Sequence, residues 1–340
     1  MKTVMILCGG ASSEHEISCI SAGAIMKAID RTRFTPVLVG ITKSGQWVIP
    51  ASDQVLEIAD GLLPEIKGGS PRTISEAIDQ LQPDVVFPIL HGPYGEDGTV
   101  QGLLEVAGIR YVGSGVLASA VAMDKSFAKP IFEANGLKVA PGIVLHQRDW
   151  HGVIETGTLN YPLFVKPARG GSSRGTTKVK SADHLASAID EALTFDTKVM
   201  IEEAIAGREI ECAVLEGDGS IQASPLGEIV IDPRFEFYDF EAKYLDGSTH
   251  IELPTDLPSD EIRAAAIRAF TSLGCEGLAR VDFFYTGTGD LVINEINTMP
   301  GFTSTSVFPK LWSSAGKSYT ELITALIDTA LARSNHVTRY

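Results

Sequence analysis

Residues 289–301 read GDLVINEINTMPG. Leu291, Val292, Ile293 and Ile296 give this run the look of a buried strand, and Pro300-Gly301 closes it in a turn. Glu295 and Asn297 interrupt the apolar pattern. Residues two apart on a strand share a face, so these two oxygen-bearing side chains stand side by side. A charge in such surroundings requires a partner. Just upstream, LARVDFFY (278–285) puts Arg280 and Asp282 on one face by the same rule, and the link 286–290 holds two glycines. A hairpin is therefore expected, with Asp282, Glu295 and Asn297 converging. Oxygen ligands without His or Cys are hard-cation chemistry, and Mg²⁺ takes one or two carboxylates together with waters and substrate phosphates. The alternative, a solvent-facing hairpin with scattered polar residues, fits poorly with such apolar flanks.

The 340-residue chain is too long for one ordinary core, and two or three domains are expected. Its composition, 44% hydrophobic and 21% charged, is that of a folded soluble protein. No apolar run reaches the roughly 20 residues that span a bilayer. The opening MKTVMILCGG has no signal-peptide h-region and reads as a first strand. Cys8, Cys19, Cys212 and Cys275 form no CxxC, which disfavours zinc and a disulfide framework and fits a reducing cytoplasm. A formal net charge of −15 disfavours a nucleic-acid or membrane-surface binder, while leaving room for one nucleotide held by a few local cations.

The first third alternates strands (3–7, 35–41, 84–90, and a short one at 110–112) with helices (17–29, 75–81), the pattern of a parallel α/β layer. A helix over 116–135, stopped by Gly136, follows. The middle third reads strand, glycine-rich loop, strand, then a helix at 182–193, a strand at 198–202 and consecutive antiparallel strands. Residues 232–255 have little periodicity and are expected to form a long functional loop. A helix at 260–273, the final hairpin and a closing helix at 318–332 complete the chain.

Three glycine-rich stretches could carry chemistry. KPARGGSSRG (166–175) follows a strand and lets backbone N–H groups approach phosphate oxygens, unless it is a plain hairpin tip. It matches GxSxG through Gly171, Ser173 and Gly175, but β-branched TTKVK follows where a nucleophile elbow needs a helix. No Walker A motif occurs. Lys166, inside an apolar strand, needs a phosphate or a carboxylate. In LCGGASSEHEIS (7–18), Ser13 and Glu16 read as a capping box opening a helix whose free N–H groups can bind an anion. The absence of GxGxxG leaves nicotinamide weakly supported. Glu14 and His15 stand at that mouth, as ligands or as solvated residues. His91, in PILHGPYGEDGTVQG, lies at a strand's C-terminal end, where open α/β sheets bind ligands; a buried structural histidine is the alternative.

Taken together, GGASSEHEIS, HGPYGEDGTVQG, GSG with AMDK, FVKPARGGSSRG, IEEAIAGREIE, FYDFEAKY, LARVDFF and NEINTMPGFT, running in order from residue 9 onward, resemble the D-alanine–D-alanine ligase family of the ATP-grasp superfamily. The resemblance implies an α/β and α+β three-domain fold: an N-terminal parallel α/β domain (1–113), a central ATP-grasp subdomain (114–205) and a C-terminal one (206–340) with a mobile loop at 232–255. The last two would clasp ATP. It also implies joining of two D-alanines through an acyl phosphate, in the cytoplasm, for peptidoglycan precursors. Dimers are usual in the family, so a homodimer is expected by analogy.

The resemblance carries roles onto individual residues. Lys125 and Lys166 would contact adenine and phosphates, Glu202 and Glu209 adenine-side and ribose groups, and Ala204 and Ile205 the adenine through backbone. Asp282 and Glu295 would hold one Mg²⁺, and Glu295 with Asn297 a second, Mn²⁺ being an alternative. Lys243 would reach the γ-phosphate. Glu14, with His91 nearby, would pair with the first D-alanine's ammonium. Ser172 and Tyr244 would bond across the site, and Ser306 would take the second D-alanine's carboxylate. Arg280 and the Gly301 N–H would stabilise the oxyanion. A tyrosine at 244 favours D-alanine over D-lactate.

Three features depart from the family pattern: Arg174 where an apolar residue is usual, Val307-Phe308 where Met-Tyr is common, and Thr305 where some members have histidine. The last two flank Ser306, so a ligase joining D-alanine to D-serine or D-lactate is the competing reading. A non-catalytic ATP sensor is a third reading, opposed by Arg280 standing together with Asp282, Glu295 and Asn297. A dehydrogenase is a fourth, opposed by the missing GxGxxG.

Overall fold

The computed structural model describes residues 1–51, 56–58, 62–230 and 250–333. The chain opens with β1 (Lys2–Gly9), α1 (His15–Ala28), β2 (Phe34–Ile41), β3 (Trp47–Ile49), β4 (Ser70–Pro71), α2 (Ile74–Leu81), β5 (Val85–Pro88) and α3 (Thr99–Val106). These strands form a sheet of order β4-β3-β2-β1-β5, with β1 parallel to both β2 and β5. Covered on both faces, β1 buries Val4 through Cys8 completely, which explains its unbroken apolar run. At its end Gly9 adopts φ +89°, and a Cβ there would lie 2.2 Å from the Ile41 carbonyl oxygen. Only glycine can turn the chain at that point.

The expected capping box of α1 does not form. Glu14, not Ser13, occupies the N-cap position, without a side-chain cap bond. Glu16 is drawn instead to the Lys43 ammonium at 2.5 Å, a charged partner that outcompetes a neutral backbone donor. The strand expected at 110–112 reduces to a single bridge between Val86 and Tyr111.

The long helix expected over 116–135 is two: α4 (Val116–Met123) and α5 (Lys125–Ala134). Asp124 breaks it with ψ 95° and caps α5 by accepting the Ser126 N–H at 3.1 Å. Its other carboxylate oxygen meets the Lys198 ammonium. The break places Lys125 at the first turn of α5. Gly136 adopts φ +74° after the helix, as its stop role requires.

β6 (Lys138–Val139), β7 (Gly142–His146), β8 (Leu163–Pro167), β9 (Thr177–Val179), α6 (Leu185–Ala192) and β10 (Lys198–Glu203) follow. Apart from β6 these strands make a sheet of order β7-β10-β8-β9, antiparallel throughout, with α6 closing its core. A strand, β9, follows the glycine-rich loop where a nucleophile elbow would need a helix.

The third sheet is built from β11 (Gly207–Gly217), β12 (Ser220–Val230), β13 (His250–Glu252), β14 (Leu278–Thr286) and β15 (Leu291–Asn297), in the order β13-β12-β11-β14-β15-β6. Within the loop expected at 232–255, residues 250–252 are thus a strand, and residues 232–249 lie outside the described residues. Helices α7 (Ser259–Ser272), α4 and α5 cover one face, packing Phe132, Ile262 and Phe270 on Val281 and Phe283. The other face buries Ala213, Leu215 and Leu278 beneath α8 (Val307–Ser314) and α9 (Tyr319–Ala332). α8 escapes the sequence reading, since Pro309 sits within its first turn, where a helix tolerates it. Farther along this same face, by the two-residue period, stand Glu209 and Glu211 on β11 and Arg280 and Asp282 on β14. One sheet face is thus apolar under α8 and α9 and charged at its open end.

Candidate active site

The β14–β15 hairpin forms in the expected register. Asp282 is the direct partner of Glu295 and Arg280 that of Asn297, with an irregularity after Asp282. Arg280 forks onto Asp282, Nε to Oδ1 at 2.7 Å and Nη2 to Oδ2 at 2.6 Å. Its Nε also lies 3.0 Å from Glu211 Oε2. Asn297 Nδ2 donates to Asp282 Oδ2 at 3.1 Å, which leaves the amide oxygen as its acceptor. Lys125 Nζ sits 3.0 Å from Glu295 Oε2 and donates to the Gly170 carbonyl at 2.9 Å. The partners that these half-buried carboxylates require are therefore two cations of the chain. Burial works against the charge on Arg280, but Asp282 and Glu211 hold its pKa well above the usual value. Burial likewise opposes Lys125, and Glu295 raises it.

Asp282, Glu295 and the Asn297 oxygen form an all-oxygen set on one strand face. Among the described residues no three His, Cys, Asp or Glu side chains gather into a closed metal cage. Two carboxylates and an amide suit a hard cation that keeps waters and phosphate oxygens as its remaining ligands.

Lys166 finds a carboxylate. Its Nζ lies 2.7 Å from Glu202 Oε2 and donates to Asn294 Oδ1 at 3.3 Å. Glu202 Oε1 meets a second ammonium, Lys129, which the sequence reading missed. Burial alone would raise the Glu202 pKa; the two lysines instead hold it down to about 2. Lys129 is lowered, by burial first, with Glu202 opposing. A signal existed: Lys129 lies four residues after Lys125, on the same face of α5.

Above these groups opens a cavity of about 440 Å³ between the second and third sheets. Lys125, Lys166, Ser172, Glu202, Ala204, Ile205, Glu209, Asp282 and Glu295 line it, together with Glu211 and Arg174. The Ala204 N–H is already committed to the Pro162 carbonyl at 2.9 Å, so of its backbone only the carbonyl can serve a ligand.

At the α1 end, Ser172 Oγ donates to Glu14 Oε1 at 2.5 Å. Ser172 and Ser173 both adopt positive φ, +51° and +55°, turning the loop inward. Gly171 permits the approach, because a Cβ there would lie 3.1 Å from Glu14 Oε2. His91 Nδ1 is 3.0 Å from the Met299 carbonyl, which accepts its proton and leaves Nε2 as an acceptor. That Nε2 is buried with no hydrogen-bond partner. Burial lowers the His91 pKa against the pull of Glu14, so the ring is neutral and can accept from a cationic donor. Ser306 stands at the N-cap position of α8 without a side-chain cap bond, and its Oγ accepts the Thr303 N–H at 3.1 Å. It is also close to Gly301, whose Cβ would lie 3.3 Å from that Oγ. Glu96, unremarked in the sequence, accepts the Gly92 N–H at 3.1 Å. Desolvation, then Glu14's charge, pushes its pKa up to about 8. Lys243 and Tyr244 lie outside the described residues.

The D-ala D-ala ligase N-terminus family matches residues 3–114, and the D-ala D-ala ligase C-terminus family matches residues 131–328. The chain belongs to the D-alanine–D-alanine ligase family. A D-alanine–D-alanine ligase of Mycolicibacterium gilvum (strain PYR-GCK) is 47% identical over 357 residues, covering 97% of each chain. One of Mycobacterium tuberculosis is 48% identical over 363 residues, covering 97% of this chain and 95% of the other. Among solved structures, the VanG D-Ala:D-Ser ligase of Enterococcus faecalis superposes with a TM-score of 0.79 at 34% identity, covering 97% of this chain and 99% of that one. The Bacillus anthracis D-alanine–D-alanine ligase complexed with ATP does so with a TM-score of 0.76 at 27% identity, covering 97% and 98%. The fold is the ATP-grasp fold of this family, mixed α/β with an N-terminal layer built around parallel strands. No helix among the described residues is long and apolar enough to cross a membrane.

Proposed function

We propose that the protein uses ATP to join two D-alanine molecules into D-alanyl-D-alanine, through an acyl phosphate, for cell-wall precursors. The observation that carries this reading is the assembly of the charged β14–β15 face, Lys125, Lys166 and the Ser172 loop around one cavity, in a chain of this family. A carboxylate is a poor electrophile. Phosphorylation by ATP activates the first D-alanine, and the amine of the second then displaces phosphate.

In this reading the cavity takes ATP. Lys125 and Lys166 meet its phosphates, Glu202 and Glu209 its adenine side and ribose, and the Ala204 carbonyl and Ile205 backbone its base. Lys243 reaches the γ-phosphate. Asp282 and Glu295 would hold one Mg²⁺ and Glu295 with Asn297 a second, Mn²⁺ being an alternative; bound there, the ions supply neutralisation of phosphoryl charge. Glu14 and the lone pair of His91 Nε2 receive the first D-alanine's ammonium, Glu14 being oriented by Ser172. Ser306 holds the second D-alanine's carboxylate. Arg280 and the Gly301 N–H face the oxyanion that develops as the amine attacks. Tyr244 would pair with Ser172, which would help to keep water from the acyl phosphate.

The three domain spans 1–113, 114–205 and 206–340, a homodimer and a cytoplasmic location belong to the same reading. The four cysteines are free and buried, which suits a reducing compartment.

The test is product analysis with a panel of D-alanine, D-serine and D-lactate. ADP and D-alanyl-D-alanine should appear together and only when D-alanine is present. ATP turnover indifferent to D-alanine would overturn the reading, and a mixed product with D-serine or D-lactate would redirect it. The curated relatives at 47–48% identity are D-alanine–D-alanine ligases, which favours the dipeptide.

A further inference from the structure

Arg280 is the most contested cation in the site. It satisfies both oxygens of Asp282, at 2.7 and 2.6 Å, and Asn297 adds a third hydrogen bond to the same carboxylate at 3.1 Å. A divalent cation at Asp282 needs at least one of those oxygens. Loading the metal sets a second positive charge against the guanidinium at the same carboxylate and weakens the fork. Arg280 is largely enclosed, so a guanidinium released from Asp282 needs another acceptor nearby or it is left buried and unpaired.

Glu211 is placed to be that acceptor. It stands on β11 as the direct register partner of Asp282, so its side chain emerges on the same face. Its Oε2 is 3.0 Å from Arg280 Nε, and the residue is only 5% exposed. None of the roles above uses it. A buried carboxylate opposite a second carboxylate is unfavourable unless a cation lies between them, and Arg280 does. We infer that Glu211 is a positioning residue: it keeps Arg280 over the reacting face when a divalent cation draws Asp282 away. This rests on the reading that Asp282 carries the metal.

The two claims separate in a binding experiment without turnover. Mn²⁺ is titrated into the full chain with a non-hydrolysable ATP analogue, free Mn²⁺ being read by electron paramagnetic resonance, and the melting temperature of each variant is recorded. Glu211→Gln should weaken Mn²⁺ binding by about tenfold, the scale of one charge-assisted hydrogen bond, because Arg280 then competes harder for Asp282. In an Arg280→Met background the same substitution should change nothing further. Equal weakening in both backgrounds would mean a simple loss of negative charge, and no weakening at all would mean no role; either overturns the inference. Asp282→Asn is the control. Mn²⁺ binding indifferent to it would remove the metal reading, and the inference with it. Indifference to Glu211→Gln alone, with Asp282→Asn impaired, overturns only the inference. If Glu211→Gln does not fold, Glu211→Asp keeps the charge but shortens its reach, and should weaken binding in the same Arg280-dependent way.

Discussion

Ser172 Oγ donates a 2.5 Å hydrogen bond to Glu14 Oε1, joining two residues 158 positions apart in the chain. One stands at the mouth of α1 and the other on the loop between β8 and β9. The bond closes the glycine-rich loop onto the N-terminal layer and fixes a carboxylate oxygen where a substrate ammonium would approach. Hydrogen bonds to charged groups contribute roughly 1.5–3 kcal/mol. Ser172→Ala should therefore lower kcat/KM for the first D-alanine by about ten- to a hundredfold, mainly through KM. Steady-state kinetics with varied D-alanine checks this, and a loss under about threefold would remove the orienting role.

Arg280→Ala should cut turnover on the order of a hundredfold or more, since one oxyanion donor is worth about 2.7–4 kcal/mol of barrier. The substitution also strands Asp282 and Glu211 opposite each other without their shared cation. The variant's melting temperature must accompany its rate. A loss smaller than about tenfold in a folded variant would count against Arg280 as the oxyanion's partner.

Glu202 is buried between Lys129 and Lys166, and its pKa is held down to about 2. A carboxylate lowered on folding contributes stability that is complete above its unfolded value, about 4.3, and lost as pH falls toward the folded one. Glu202→Gln leaves the buried Lys129 and half-buried Lys166 ammonium groups without their counter-charge, a loss of about 3–5 kcal/mol. The wild-type protein should melt well above the variant at neutral pH. That gap should shrink as pH drops from about 4.3 toward 2, measured by thermal denaturation across the acid range.

Glu96 has the opposite sign. Its folded pKa is pushed up to about 8, so between about 4.3 and 8 the folded state retains a proton that the unfolded state has lost. The group's contribution to stability is greatest below the unfolded value and declines as pH rises through that window. Glu96→Gln keeps the acceptor for the Gly92 N–H and removes the titration. Its melting temperature should match the wild type at about pH 4 and exceed it increasingly up to about pH 8. Parallel curves would show that Glu96 does not titrate in this range.

The final hairpin was legible because its information is local. A period of two assigns Arg280 and Asp282, and then Glu295 and Asn297, to one face wherever the strands lie. The two-glycine link makes the strands neighbours, and the register pairs Asp282 with Glu295 accordingly. The glycine-rich loop between strands, the buried run of β1 and the stop at Gly136 were readable for the same reason. Local competition defeated the reading at α1, where Glu16 chose Lys43 over a cap, and at Asp124, whose cap and ion pair split one helical pattern into two.

The sequence by itself determined which residues share a strand face, where the loops turn, and which side chains are too polar for their surroundings. Only the tertiary structure decided which charge meets which: Glu202 between Lys129 and Lys166, Lys125 on Glu295, Arg280 between Asp282 and Glu211, and Ser172 on Glu14. Backbone periodicity repeats every few residues and needs no partner from afar. A buried charge must be matched by whatever cation or anion the packing of separate layers brings within about 3 Å, and that is set by the fold as a whole.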